Sequence, residues 1–113
     1  LISVDVEGFE FDVLRGGEKL IKKYAPVLIL EVNQKYLEKR GNVKLLDFYN
    51  YLHLLNYDCY YIERLGITKV DIHLFKPRYN KNWICVPKES GRFVERLNKS
   101  IFCNAFKPVF KIK

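Results

Sequence analysis

Acidic residues cluster at the beginning of the chain, where a short apolar segment runs directly into them. The segment is Val4-Asp5-Val6-Glu7-Gly8-Phe9-Glu10. An apolar strand that ends in acids and a glycine is typical of a buried parallel strand whose carboxyl end faces a ligand. A carboxylate there can accept a proton from a substrate hydroxyl, or bind a metal or a ligand amine. Asp5 is the strongest candidate, and the alternative is a structural acid that holds loop amides.

Two predicted strands and a helical connection would position these acids. Leu1–Val6 predicts the first strand. The continuous apolar run Val27-Leu28-Ile29-Leu30, which ends at Glu31, predicts a second strand that is buried on both faces. Between them, apolar spacing predicts a helix from Phe9 to about Tyr24, with a break at Gly16-Gly17. Pro26 prevents the helix from continuing. The sequence therefore predicts a right-handed βαβ unit with two parallel strands.

Glu31 lies at the end of the second strand, as Asp5 does at the end of the first. If the strands are adjacent, their carboxyl ends are about 5 Å apart. Two carboxylates this close repel each other, so one of them should be protonated or a cation should lie between them. A metal at this edge is left open, and no ligand set is assigned to one.

The other residues of the acidic segment have strong structural alternatives. Glu7 and Glu10 belong either to the site or to the first turn of a helix, where acids offset the helix dipole and satisfy free amides. Gly8 permits either a tight turn or the close approach of a ligand. We include Glu7 with Asp5 and Glu31 as candidate catalytic residues.

The remainder of the chain predicts two further strands and two further helices. The predicted elements are a helix at Lys44–Asn56, a Tyr-rich strand at Tyr57–Glu63, an irregular basic segment at Gly66–Asn82, a strand at Trp83–Val86 and a helix at Ser90–Lys99. The tail Ile101–Lys113 is not assigned. Trp83 and the tyrosines Tyr57, Tyr60 and Tyr61 are expected in the core.

Charge and cysteine content limit the classes of protein to which this chain can belong. The chain has 113 residues and a net charge of +7, with 8 Lys/Arg against 10 Asp/Glu in residues 1–63 and 12 against 3 in residues 64–113. The basic half is either a solvated surface or an attachment site for an anionic partner, with Lys69, Lys76, Arg78 and Lys81 as its candidates. The three cysteines form no CxxC pair, which argues against a disulfide framework or a zinc site and favours a reducing, cytoplasmic setting. No apolar run is long enough for a transmembrane segment.

Several of these segments together resemble a known family, the FkbM family of S-adenosylmethionine-dependent methyltransferases. The resemblance rests on Ile2–Glu10, on Val13-Leu14-Arg15-Gly16, on Pro26 with Leu28–Glu31, and more loosely on Asn56-Tyr57 and Asn82–Lys88. It implies an α/β fold: the C-terminal half of a Rossmann-like methyltransferase sheet, mostly parallel with an antiparallel last strand. Leu1–Val6 would then be the fourth strand and Val27–Val32 the fifth.

The resemblance also implies which parts of the family's domain this chain contains. The first three strands, with the glycine-rich loop and the acid that hold the cofactor S-adenosylmethionine, have no counterpart in residues 1–113. The chain opens on Leu1 and has no methionine, so we expect it to begin inside a larger fold. We therefore expect the C-terminal part of a single FkbM-like methyltransferase domain, inactive alone, and we assign no cofactor-binding residues.

Three functional hypotheses follow from these observations. The first is methyl transfer from S-adenosylmethionine to an oxygen of a small-molecule or saccharide acceptor, with Asp5, Glu7 and Glu31 as catalytic residues. The second is a basic, non-catalytic module that binds an anionic glycan, a lipid or, as the least favoured partner, nucleic acid. The third is an inactive remnant that aggregates through the open sheet edge at Leu1–Val6. The sequence makes no prediction about oligomeric state.

Overall fold

The structure is a computed structural model that describes residues 1–72 and 81–105. Lys76, Arg78 and the end of the unassigned tail lie outside the described residues. The elements are β1 (Ile2–Val4), α1 (Glu10–Gly16), α2 (Glu18–Tyr24), β2 (Leu28–Val32), α3 (Gln34–Lys39), α4 (Leu45–Leu54), β3 (Tyr57–Glu63), β4 (Gly66–Lys69), β5 (Lys81–Pro87) and α5 (Gly91–Ala105).

The strands form one open sheet in the order β1-β2-β5-β3-β4. β1 and β2 are parallel neighbours, which confirms the pairing predicted for the βαβ unit. The other three pairings are antiparallel, so the prediction of a mostly parallel sheet is wrong for the described strands. They form a mixed sheet within an α/β fold. The reason is the placement of β5, which inserts between β2 and β3 and runs opposite to both. β1, β2 and β3 nevertheless share one direction.

The segment predicted as irregular begins with a strand. β4 folds back on β3 through a two-residue connection, Arg64-Leu65, and pairs Ile62 with Ile67 and Glu63 with Gly66. Gly66 has φ +155°, a conformation that glycine adopts without strain. Lys69 is exposed on this edge strand, where a charge discourages pairing with another chain.

Most helix predictions are confirmed, with two differences. The predicted break at Gly16-Gly17 separates α1 from α2, and Asn56, in the left-handed region with φ 68°, follows the end of α4. α3 was not predicted, because its six residues bury only Leu37; its start is capped by the Asn33 side chain, which accepts a hydrogen bond from the Tyr36 amide at 3.2 Å. α5 extends beyond Lys99 and includes the beginning of the unassigned tail.

The core lies on one face of the sheet, beneath α4. Strand register aligns Val4, Leu30, Trp83 and Tyr61 in one row across β1, β2, β5 and β3, and all four are buried. Phe48 of α4 packs on this row, with its ring centroid 6.1 Å from that of Trp83. The expected core positions of Trp83, Tyr57 and Tyr61 are confirmed, while Tyr60 is half-buried on the opposite face.

The opposite face is only partly covered. In β2, Leu28, Leu30 and Val32 are buried whereas Ile29 and Glu31 are half-buried, so the prediction that this strand is buried on both faces is wrong. At the β4 edge of the sheet, α5 packs along β4, where Asn98 accepts a hydrogen bond from the Ile67 amide at 2.9 Å. Within residues 1–72 and 81–105, no helix is both long and apolar enough to cross a membrane.

Removing the Phe48 ring should test the core beneath α4. Phe48 is 0% exposed and Leu54 on the same helix is 84% exposed. We expect Phe48→Ala to lower the free energy of unfolding by about 3–5 kcal/mol because it leaves a cavity against Trp83. The matched substitution Leu54→Ala should change it by less than about 0.5 kcal/mol. Urea unfolding measures both, and equal losses in the two variants would contradict this packing.

Candidate functional site

The carboxyl ends of β1 and β2 meet at one edge of the sheet. The parallel register pairs Val4 with Leu30, and the next residue on each strand is an acid, Asp5 or Glu31. Since side chains alternate along a strand, Glu31 lies on the face opposite the buried Leu30. Asp5 directly follows β1 and would share that face if the alternation of β1 continues through it. Asp5 is exposed and Glu31 is half-buried. The predicted meeting of these two strand ends is confirmed, and the catalytic roles of the two acids stay predictions.

Glu10 holds the turn that follows β1. Its Oε2 accepts hydrogen bonds from the backbone N–H groups of Val6 at 3.2 Å and Gly8 at 3.1 Å. The turn is further closed by the Phe9 amide, which donates to the Val6 carbonyl at 3.3 Å. Glu7 and Gly8 both have positive φ, at 49° and 110°, so the backbone reverses sharply here. Glu10 therefore fixes the backbone from which Asp5 and Glu7 project.

The environment of Glu10 is unusual for a carboxylate. Its side chain is 0% exposed, and among the described residues its Oε1 is buried with no hydrogen-bond partner. Burial raises the pKa of Glu10 above its ordinary value, and the negative charge of Asp5 raises it further, whereas the two amide hydrogen bonds lower it. Burial is the largest of these effects. Glu10 is thus a buried acid whose pKa is raised mainly by burial and also by the charge of Asp5.

The sequence left Glu10 open between the site and the first turn of a helix, and Glu10 was not among the candidate catalytic residues. The position of an acid in the first turn of α1 indicated dipole compensation or the binding of free amides. The structure shows amide binding, but the amides belong to the turn before the helix. The sequence signal for this role of Glu10 was its spacing from Gly8. A side chain two residues after a glycine can reach back to the backbone of the turn that the glycine allows.

Glu7 lies at the outer side of the same turn. Its Oε2 accepts a hydrogen bond from Nη1 of Arg40 at 3.3 Å, and both side chains are largely exposed. The Arg40 guanidinium also lies over the Tyr36 ring, with Cζ 3.9 Å from the ring centroid. An exposed ion pair of this kind adds little stability. The pair does connect the turn to the C-terminal end of α3, beside the strand ends.

Gly8 is required by contact with α3. A Cβ at Gly8 would lie 2.4 Å from the Tyr36 carbonyl oxygen, and a Cβ at Gly41 would lie 2.2 Å from the Gly8 carbonyl oxygen. The two glycines therefore let the backbone of the turn and the backbone at the end of α3 touch. Of the two alternatives for Gly8, the structure shows a tight turn, and the close approach is to α3.

Histidine, cysteine and acidic side chains are the common metal ligands of proteins. In the part of the chain that the structure describes, no group of three or more of them is arranged to hold a metal ion.

The fold and the site together define an α/β protein with carboxylates at the adjoining carboxyl ends of two parallel strands, the edge at which such sheets bind ligands. Comparison with models of known protein families identifies the family to which this α/β protein belongs. The family model described as Methyltransferase FkbM domain matches residues 1–62, which is more than half of the chain. The chain belongs to the FkbM methyltransferase domain family. No curated protein and no solved structure matches it.

The family match contains the whole candidate site. It extends from β1 into β3 and includes Asp5, Glu31 and the contact between the turn and α3. The inserted strand β5 and helix α5 follow the matched segment.

A methyl group at Gly8 should disrupt the contact with α3. We expect Gly8→Ala to lower the free energy of unfolding by about 2 kcal/mol or more, because alanine is strained at φ +110° and its Cβ overlaps the Tyr36 carbonyl. Gly16→Ala is the matched control, since nothing lies within 4 Å of a Cβ there. That change should be neutral or stabilise by up to about 1 kcal/mol. Thermal unfolding of both variants tests the contact, and a neutral Gly8→Ala would show that the turn does not touch α3.

Replacing Glu10 by its neutral isostere should alter the pH dependence of stability. Because the folded pKa of Glu10 is raised, its stabilising contribution is complete below about 4.3, the pKa of glutamate in an unfolded chain, and is lost as pH rises through the folded value. The free energy of unfolding of the unmodified chain minus that of Glu10→Gln should therefore fall as pH rises. Urea unfolding across this pH range measures the difference.

Asp5→Asn provides the control for the Glu10 experiment. Because the charge of Asp5 raises the folded-state pKa of Glu10, the fall with pH should be smaller and should end at lower pH when Asp5 is neutral. A difference between the unmodified chain and Glu10→Gln that stays constant or grows with pH would contradict a raised pKa.

Proposed function

We propose that this chain is the acceptor-side part of an S-adenosylmethionine-dependent methyltransferase that methylates an oxygen of a small molecule or sugar. The single observation that carries the proposal is the parallel register of β1 and β2, which brings Asp5 and Glu31 to one sheet edge inside the segment that matches the family. Membership of a methyltransferase family supports the class of reaction. The cofactor and the choice of an oxygen acceptor are part of the proposal.

The strand order supports a Rossmann-like arrangement. The family resemblance implies a sheet whose last strand is antiparallel, and the last described strand, β5, runs antiparallel to both of its neighbours. With β1 and β2 as the fourth and fifth strands of the family's sheet, further strands would add on the outer side of β1. We therefore propose that residues 1–113 form the C-terminal part of one methyltransferase domain.

The described residues do not form a cradle for S-adenosylmethionine. Gly8 lies between a strand and a helix at the site edge, but its free side is occupied by the Tyr36 carbonyl. Gly16 and Gly17 lie between two helices and not after a strand. The cofactor, which supplies the methyl group when it is bound, would thus be held mainly by segments outside this chain.

The chain's own residues would act on the acceptor. Asp5 is exposed at the strand end, so its carboxylate can accept the proton of an acceptor hydroxyl as that oxygen becomes a nucleophile. Glu31, near the end of the neighbouring strand β2, can accept a second hydrogen bond from the acceptor and orient it. Glu7 is the third proposed catalytic residue, and its ion pair with Arg40 holds it beside the strand ends. Glu10 holds the backbone of the turn.

Loss of the Asp5 carboxylate should remove most turnover in the full-length protein. We expect Asp5→Asn to lower kcat by about 10²–10⁴-fold, the usual contribution of a positioned general base. The fold and the affinity for S-adenosylmethionine should not change, because Asp5 is exposed and would act on the acceptor. Transfer of a labelled methyl group to extracted acceptors measures turnover, and calorimetry measures cofactor affinity.

Asp12→Asn is the matched control, since Asp12 is exposed on α1 away from the strand ends. It should retain full turnover. Unchanged turnover in Asp5→Asn would remove Asp5 from the mechanism, and a full-length protein that transfers no methyl group and does not bind the cofactor would overturn the proposed reaction. Full cofactor affinity in residues 1–113 alone would overturn the proposed division of the domain.

A further inference from the structure

Two cysteines that are 26 residues apart in the sequence face each other in the core. Cys59 on β3 and Cys85 on β5 are direct partners in the antiparallel ladder, and their Sγ atoms are 3.3 Å apart. Both thiols are free, and the residues are 1% and 0% exposed. The geometry is independent of the strand-end site and of the proposed function.

The hydrogen-bond pattern shows which kind of ladder position they occupy. The Cys59 carbonyl accepts a hydrogen bond from the Val70 amide at 2.9 Å, so the backbone polar groups of Cys59 point towards the β4 side. Cys59 and Cys85 are therefore a non-hydrogen-bonded pair, in which opposed Cα atoms lie about 4.5 Å apart and the side chains are closest. A disulfide spans Cα atoms about 4.4–6.8 Å apart, so this pair lies within range without movement of the strands.

We propose that Cys59 and Cys85 are an oxidation site at which a peroxide forms a disulfide that fastens β5 to β3. One thiol loses its proton, and the resulting thiolate attacks a peroxide oxygen as the O–O bond breaks. With hydrogen peroxide this gives a sulfenic acid and a hydroxide, which takes up the released proton and leaves as water. The second thiol attacks the sulfenic sulfur, an S–S bond forms, and a second water leaves with the thiol proton. Two thiols are oxidised and one peroxide is reduced to two waters.

Burial determines how this site reacts. Burial raises the pKa of the Cys85 thiol well above its ordinary value, which keeps it protonated and unreactive while the sheet is closed. A peroxide is small enough to enter during brief separation of β5 from β3, whereas bulky thiol reagents require wider opening. Once formed, the disulfide would hold the strand that carries Trp83 against β3.

The test uses the chain with Cys103→Ser, which leaves the proposed pair as its only cysteines. After treatment with excess hydrogen peroxide, we expect the intact mass to fall by two hydrogen atoms and the protein to remain monomeric. The melting temperature should rise by about 10 °C, the size expected for closure of a loop of this length in a domain of this size. Dithiothreitol should reverse both changes.

The double variant Cys59→Ser/Cys103→Ser is the matched control and should show neither change. Peptide mapping of the oxidised chain provides evidence that does not depend on the stability of that variant, since it should recover one peptide pair joined through Cys59 and Cys85. Two titratable thiols after treatment, added oxygen without a linked peptide pair, or disulfide-linked dimers would each overturn the proposal.

Discussion

The buried carboxyl group of Glu10 is the contact on which the arrangement of the site depends. It accepts hydrogen bonds from two backbone amides of the turn after β1, and the buried Gly8 amide would otherwise lack this acceptor. The turn it fixes contains Gly8, whose missing side chain lets the end of α3 approach. Glu10 thus links the first strand to the first helix directly, and through the turn it also positions the contact with α3, the helix that follows the second strand.

Electrostatics and packing oppose each other at this point. Satisfying the turn amides favours the charged form of Glu10, whereas burial and the neighbouring Asp5 favour the neutral form. Such a balance is common where a protein holds acids close together for chemistry. Glu10 is buried, whereas Asp5 is exposed and therefore accessible to a ligand.

Sequence reasoning predicted the parts of this fold that depend on local rules. The parallel pairing of β1 with β2 follows from the handedness and short connection of a βαβ unit, and the break between α1 and α2 follows from two glycines. The placement of β5 between β2 and β3 depends on packing between distant segments. The same holds for the pair Cys59 and Cys85, which meet only through strand register. α3 and β4 were missed because each is short and buries few apolar residues.

The two edges of the sheet differ in their chemistry. At β4, the outward Ile67 amide donates a hydrogen bond to the Asn98 side chain of α5, and a Cβ at Gly66 would overlap that side chain unless it moved. Along β1, the described residues place no strand or helix cap on the outer backbone, and Leu1 and Ile2 expose apolar surface. Among the described residues, α5 therefore covers the β4 edge, whereas the β1 edge leaves backbone groups available for pairing with a further strand. This open edge lies next to the acids of the candidate site, so a strand added there would also change their surroundings.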